Sequence, residues 1–299
     1  MQEKIIIILG TLIVIQIIIF IRVKYEFSCI EIKNYNIKTS KIKHIYEFLL
    51  ISDIHCMKFG KANKKMIDLL NNYENIDLYI AGDLITCTRS GKIFVDNALE
   101  LISDIRNKTS VNNIYMSLGN HELRMIDFAK SRYEYKIAND KFNDCIIKYK
   151  IDILDNNHKN LGDVCLYGLS LYKGYFRHAK NFKEKKETLK NDYINNCIGQ
   201  IDKNKFNIIM SHNPDYSENL IDYGFDLVLS GHHHGGLIRL PMIGSIFSPE
   251  LMLFPKYSKG LYHYNDKTII VSAGLGGNSN INIRLNNKPD INHIKIIGV

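Results

Sequence analysis

Residues 47–55 read Glu47-Phe48-Leu49-Leu50-Ile51-Ser52-Asp53-Ile54-His55. A short aliphatic run that ends in polar residues is the pattern of a strand buried on both faces, and here Asp53 and His55 follow it at once. The device recurs twice: Leu78-Tyr79-Ile80-Ala81 leads into Gly82-Asp83, and Ile114 to Leu118 leads into Gly119-Asn120-His121-Glu122. Helical patterns lie between, from Ala62 to about Asn72 with Met66, Ile67, Leu69 and Leu70 on one face, and from about Ile93 to Ile105 with Phe94, Ala98, Leu101, Ile102 and Ile105. This β-α-β-α-β order predicts parallel pairing through right-handed crossovers. The residues just after each strand then share one edge of the sheet.

Farther along, Arg124 to Tyr149 reads as polar helix, and Asp152 to Leu154 and Val164 to Leu171 read as strands. A lysine-rich helix is predicted from about Phe182 to Ile198, then strands at Asn207 to Ser211 and Asp226 to Ser230. Leu261 to Tyr264, Asn265-Asp266 and Thr268 to Ser272 make a hairpin signal. The mixture implies an α/β sandwich, with no internal repeat.

The composition, 299 residues with 45% hydrophobic and 23% charged side chains, is globular and excludes disorder and collagen. Five Pro and nineteen Gly leave little room for a long flexible linker. The net charge of +8 suits phosphate-bearing substrates, anionic lipid or nucleic acid without choosing among them. The six cysteines, at positions 29, 56, 87, 145, 165 and 197, form no C-x-x-C pair, so cysteine is not the metal ligand and reduced thiols are the favoured reading.

At the N-terminus, Ile5 to Ile21 is apolar apart from Gly10, Thr11 and Gln16. At ~1.5 Å per residue the run covers about 26 Å, slightly short of the ~30 Å hydrocarbon core unless Arg22 snorkels. A single membrane span is favoured over a cleaved leader, because no A-x-A site follows and Glu26-Phe27-Ser28-Cys29 makes a poor lipidation box. Lys4 precedes the run, whereas Arg22, Lys24, Lys33, Lys38, Lys41 and Lys43 follow it, which places the main body in the cytoplasm. The expected organisation is an anchor at 1–24, a connecting segment at 25–46 and one domain at 47–299.

The strand ends carry the chemistry. Besides Asp53, His55, Asp83, Asn120 and His121, His212 ends the strand before it, and Gly231-His232-His233-His234-Gly235-Gly236 follows the next. Each residue alone has a bland explanation as a helix cap or a hydrogen-bonded imidazole. Together they do not, since acids and imidazoles gathered at one edge repel or go unsatisfied without a cation, and two divalent ions would neutralise the one and accept the other. His232 and His234 are two apart, so in an extended segment they point to one face.

The series Asp53-x-His55, Gly82-Asp83, Gly119-Asn120-His121-Glu122, His212 and Gly231-His232-x-His234 resembles the calcineurin-like metallophosphoesterase family. The likeness runs from about Phe48 to the C-terminus. Within the family the chain looks most like a bacterial, membrane-associated branch related to UDP-2,3-diacylglucosamine pyrophosphatases, through His234-Gly235-Gly236, Pro241, Gly244, Tyr257-Ser258-Lys259-Gly260 and Ser272-Ala273-Gly274-Leu275-Gly276. The resemblance implies a four-layer α/β/β/α sandwich. It also implies that Asp53, His55 and His234 hold one metal, Asn120, His212 and His232 the other, and Asp83 bridges both. Such a pair of ions, Mn, Fe or Zn, sits about 3.5–4 Å apart and lowers the pKa of a shared water, whose hydroxide attacks phosphorus. His121 would protonate the leaving oxygen.

Two positions depart from the branch: Thr86 stands where an outer carboxylate is usual, and Glu122 replaces the more frequent Asp, which bears on whatever orients His121. Cys56 and Cys87, beside the first two motifs, read as small fillers rather than redox groups. Arg89, Arg124 and Asn213 are candidate phosphate contacts, with solvated charge or turn cap as the plainer alternative. A basic helix around Lys183, Lys185, Lys186 and Lys190 could face anionic headgroups or merely solvent. The implied function is a membrane-anchored phosphoesterase for a monoester, diester or pyrophosphate, lipid-linked or nucleotide-sugar compounds included. A metal-dependent nuclease or nucleotide phosphodiesterase is the first alternative, and a non-catalytic metal-binding docking module the second. No specific nucleic-acid partner is expected, because no reading motif is present.

Overall fold

The computed structural model describes residues 2–176, 187–277 and 283–299. It begins with the helix Gln2–Ser28, which is long and apolar enough to cross a membrane and whose aliphatic side chains from Ile5 to Ile21 are exposed. A leader sequence would satisfy the same measure.

Two six-stranded sheets follow. The first runs, in spatial order, Glu31–Thr39, Asp290–Gly298, Tyr46–Ile51, Asp77–Ala81, Ile114–Ser117 and Ile151–Leu154. The second runs Gly260–Tyr264, Lys267–Val271, Leu227–Ser230, Phe206–Met210, Val164–Gly168 and Asn157–Leu161. The predicted parallel pairing holds from Tyr46–Ile51 through Asp77–Ala81 and Ile114–Ser117 to Ile151–Leu154. A second parallel block joins Val164–Gly168, Phe206–Met210, Leu227–Ser230 and Lys267–Val271.

Strand periodicity sorts the core into layers. Along the deciding strand, Phe48 and Leu50 enter an apolar layer that also holds Leu166, Ile208 and Leu227 of the second sheet. Leu49 and Ile51 enter the layer beneath Lys64–Leu70, Asp96–Lys108, Asn120–Ala129 and Tyr133–Lys148. A third layer lies between the outer face of the second sheet and Asn191–Ile198 and Ser217–Tyr223. The architecture is thus the expected α/β/β/α sandwich.

Several expectations need correction. The metal-ligand candidates were read as sharing one sheet edge, yet they divide between the carboxyl ends of two sheets whose central strands each run parallel. Glu31–Thr39, read within a connecting segment, is an edge strand paired with Asp290–Gly298; with Ile32 and Ile37 as its only aliphatic residues it carries no apolar run. Asp290–Gly298 and Asn157–Leu161 were likewise not foreseen as strands. The helix expected from Ile93 starts at Asp96, because Ile93–Phe94 pairs with Thr86–Cys87. The helix expected from Arg124 to Tyr149 is two, broken near Arg132, whose guanidinium lies 4.4 Å from the Phe128 ring. Of the lysine-rich helix, Asn191–Ile198 is helical and Lys190 precedes it; Lys183, Lys185 and Lys186 lie outside the described residues. The C-terminal hairpin forms as read, with Asn265 and Asp266 at φ 48° and 59° in its turn.

Phe48 tests the inter-sheet layer, since it is fully buried and stacks on Tyr79 at 4.1 Å. Phe48→Ala is expected to lower the unfolding free energy of the detergent-solubilised chain by about 3–5 kcal/mol in urea. A loss below about 1 kcal/mol would mean that the two sheets do not pack through this ring.

Candidate metal centre

The candidate ligands occupy turns, and the turns are conformationally costly. Asp53, His55, Asp83, His232 and His234 all have positive φ, at 47°, 48°, 54°, 68° and 50°. Left-handed backbone costs a non-glycine residue roughly 1–2 kcal/mol, and it persists where surrounding contacts leave no alternative. Here those contacts are bonds between the loops: Asp53 N donates to Gly82 O at 3.0 Å, His55 N to Asp83 O at 3.1 Å, and His232 N to both Asp53 carboxylate oxygens at 3.0 Å. Gly119 and Gly231 permit the close approach, because a Cβ at either would strike the carboxylate of Asp83 or Asp53 respectively. His232 and His234 do face the centre while His233 turns away, but not through the extended backbone expected. His233 donates from Nδ1 to Tyr257 O at 2.6 Å and approaches Asp215 at 3.5 Å, fastening the loop from behind.

Three overlapping groups converge: Asp53 with His55 and His234, His55 with Asp83 and His121, and Asp83 with His212 and His232. Within each, the ligand atoms lie within 4.8 Å of one another. His55 Nε2 and His234 Nε2 are 3.2 Å apart.

His212 tests whether these residues suit a cation. Its Nδ1–H donates to Ala81 O at 2.7 Å, which leaves Nε2 of the neutral ring as a bare lone pair. That lone pair faces Asp83 Oδ2 at 3.0 Å and Asp53 Oδ1 at 3.7 Å. Nitrogen and carboxylate lone pairs repel in a buried site unless positive charge intervenes. Burial opposes protonation, yet the charges of Asp83 and Asp53 push His212 up to about 10. The carboxylates therefore demand a cation, and a divalent metal meets the same demand as a proton. Burial likewise opposes ionisation of Asp83, but the surrounding imidazoles, His212 first, hold its carboxyl well below the ordinary range. Asn120 Oδ1 is buried with no hydrogen-bond partner among the described residues, a further open oxygen donor. The mixed N and O set fits a first-row divalent ion and does not select one.

His121 differs from the others. Its Nδ1 accepts from Cys87 N at 2.7 Å, so the neutral ring carries its proton on Nε2, 3.9 Å from Asp83 Oδ2. A protonated Nε2 offers a metal no lone pair. Burial pushes this imidazole down to about 3, so it is neutral at ordinary pH.

Reading the sequence missed three supports. Glu122, expected to bear on His121, instead accepts from Asp83 N and Gly119 N at 2.9 Å and from Ile85 N at 3.0 Å, clamping the second motif to the third. Burial and then the Asp83 charge push its carboxyl up to about 7. Arg284 is buried and donates to Ala273 O and Gly276 O at 2.7 Å and to His234 O at 3.3 Å. Asn287 Nδ2 donates to His234 O and Gly236 O. No local motif flags the last two, because their partners are remote main-chain carbonyls.

Asn120, Arg89 and Arg124 line a cavity of about 740 Å³ together with Lys130, Lys173 and Phe176. Arg89 donates to Phe176 O at 3.0 Å, and Arg124 donates to Cys87 O, the carbonyl of the residue whose N–H orients His121. Asn213 is a cap: its Oδ1 accepts from Asp215 N at 3.1 Å and its Nδ2 donates to Tyr175 O at 2.9 Å. All six cysteines are free thiols, and burial pushes Cys56 and Cys87 up to about 11, far from reactive thiolates.

The family model for Calcineurin-like phosphoesterase matches residues 46–236. The chain is similar to YkoQ of Bacillus subtilis (strain 168), an uncharacterized metallophosphoesterase, at 22% identity over 81% of this chain and 80% of YkoQ. It is also similar to the UDP-2,3-diacylglucosamine pyrophosphatase LpxG of Chlamydia trachomatis serovar D, at 29% identity over 62% of this chain and 53% of LpxG. The phosphodiesterase YaeI of Escherichia coli (strain K12) is 33% identical over 30% of this chain and 32% of YaeI. The matches therefore span less than two thirds of LpxG and about a third of YaeI.

Glu122→Ala strands three buried N–H groups and is expected to cost about 3 kcal/mol or more in urea unfolding. Metal content should fall with it, read by elemental analysis after gel filtration. An unfolding loss under about 1 kcal/mol would show that the clamp is dispensable.

Proposed function

The chain belongs to the calcineurin-like phosphoesterase family, a family of metal-dependent phosphoester hydrolases, and from that premise we propose that it is a membrane-anchored, two-metal hydrolase of a phosphoester or pyrophosphate bond. The observation that carries the reading is the Nε2 of His212 set against two buried carboxylates at 3.0 and 3.7 Å. Asp53, His55 and His234 would hold one ion, Asn120, His212 and His232 the other, and Asp83 would lie between them. When bound, divalent ions at such a site offset negative charge on phosphate oxygens and lower the pKa of water to near neutrality.

The chain's own residues do the rest. His121 presents Nε2–H toward the centre and is held there by Cys87 N; as a neutral ring it is suited to stabilise charge on the departing oxygen by a hydrogen bond rather than to hand over a proton. Arg124 binds the carbonyl of the same Cys87. Arg89, Arg124, Lys130 and Lys173 outnumber Asp127 and Asp155 in the lining of the adjoining cavity, a net positive charge that suits phosphate, while Leu123, Ile126, Phe128 and Leu171 give it an apolar wall. That mixed lining favours a substrate with an apolar part over a bare nucleic-acid backbone, and the likeness to LpxG points the same way. The Gln2–Ser28 helix supports tethering, which would raise the local concentration of lipid-linked substrates. The basic residues after the apolar run favour a cytoplasmic body.

His121→Ala is expected to lower turnover of bis-p-nitrophenyl phosphate or p-nitrophenyl phosphate with Mn²⁺ by about 10²–10³-fold, with metal content unchanged. Lost metal would instead make His121 a ligand, and unchanged turnover on every ester tried would end its role toward the departing oxygen. Chelation should abolish turnover of the wild-type chain and readdition of Mn²⁺ restore it; activity that survives complete metal removal would defeat the hydrolase reading. Steeply salt-dependent cleavage of DNA, with lipid-linked esters untouched, would favour the nuclease alternative.

A further inference from the structure

From Leu240 to Phe254 the chain reads Leu240-Pro241-Met242-Ile243-Gly244-Ser245-Ile246-Phe247-Ser248-Pro249-Glu250-Leu251-Met252-Leu253-Phe254. Its one charged residue, Glu250, turns inward, its carboxylate 3.3 Å from His232 Nε2. The stretch forms most of a small hairpin, Ile238–Leu240 against Gly244–Phe247, and a return loop in which Phe247 bridges Leu253. Leu240, Ile243, Leu251, Leu253 and Phe254 are nevertheless 40–62% exposed, and Met242 is fully so. Scattered exposed aliphatics are ordinary, but six large ones within one such stretch mark an interaction surface.

Its position says what covers it. Arg22, at the end of the apolar run of the N-terminal helix, donates to Asn286 Oδ1 at 3.2 Å, and Asn286 Nδ2 donates to Arg239 O at 3.3 Å, one residue before Leu240. Beside this relay Lys288 Nζ lies 5.9 Å from the Tyr25 ring, and the Arg284 guanidinium 5.6 Å from the Phe27 ring. The hairpin is therefore rooted where a spanning helix would leave the hydrocarbon, beside Arg22, Tyr25 and Lys288, which suit the headgroup region, while Arg284 is buried beneath them. Pro241, Gly244 and Pro249 prevent the stretch from becoming a second span, which leaves shallow insertion.

We propose that residues 240–254 form a crown that embeds in the bilayer crossed by the N-terminal helix, so that the metal centre draws phosphoesters borne by that bilayer. The inference rests on reading the helix as an anchor and the centre as a phosphoesterase. Because the crown reaches His232 through Glu250, the membrane contact and the ligand loop are one structural unit.

The chain contains no Trp, so a single introduced indole is a clean reporter. Met242→Trp, Phe20→Trp and Ile147→Trp are each placed in the full chain and reconstituted in phosphatidylcholine–phosphatidylglycerol vesicles with or without bromine on the acyl chains. Wild-type circular dichroism checks the fold. Met242→Trp and Phe20→Trp should show blue-shifted emission that brominated lipid quenches, whereas Ile147→Trp should stay red and unquenched. Quenching at position 20 without position 242 overturns the crown and leaves the anchor standing. A blue-shifted but unquenched Met242→Trp also overturns it, since protein, for example a second copy, would then cover the hairpin. Quenching at neither site defeats the anchor reading and the crown with it.

Discussion

Two carboxylates buried beside an imidazole lone pair set the terms for this molecule. Asp53 and Asp83 are almost completely out of water, and His212 Nε2 lies between their reach. Without positive charge such a triad is among the least favourable arrangements a protein interior can hold. The two carboxylates favour a proton on His212 although burial opposes it, and a divalent ion would meet the same demand. The arrangement of these candidate ligands thus creates an electrostatic need for a cation.

Sustaining that need takes scaffold from both sheets. Positive-φ turns shorten the path from strand end to ligand and would relax if isolated. They are locked by main-chain bonds between loops that are far apart in sequence. Glu122 ties the Asp83 turn to the helix that carries Asn120 and His121, and Arg284 with Asn287 ties the His234 turn to the C-terminal segment. Preorganisation of this kind would let the candidate ligands bind a metal without the cost of ordering them at that moment.

The centre also has two unlike neighbours. On one side the Phe176 ring packs 5.2 Å from His232 and lines the cavity with its cationic and apolar walls. On the other, Glu250 connects His232 to an exposed apolar hairpin rooted at the end of the N-terminal helix. A single histidine loop therefore adjoins both the space that would receive a substrate and the surface that would meet a membrane.

The sequence alone determined the first parallel block, the apolar N-terminal helix and the residue types at the strand ends, because each is written in short-range periodicity: a buried run, a polar stop, an O or N donor. It could not show that the edge strand Glu31–Thr39 pairs with Asp290–Gly298, since a polar edge strand gains its order from a partner that here lies more than 250 residues away. Nor could it place Arg284, Asn287 or Glu122, whose bonds reach main-chain groups of other loops, or give His121 its tautomer, which a single peptide N–H of Cys87 decides. Ligand chemistry is a property of side chains and is legible one residue at a time. Orientation, protonation and the gathering of two sheet ends into one site arise from long-range packing, and only the tertiary structure decided them.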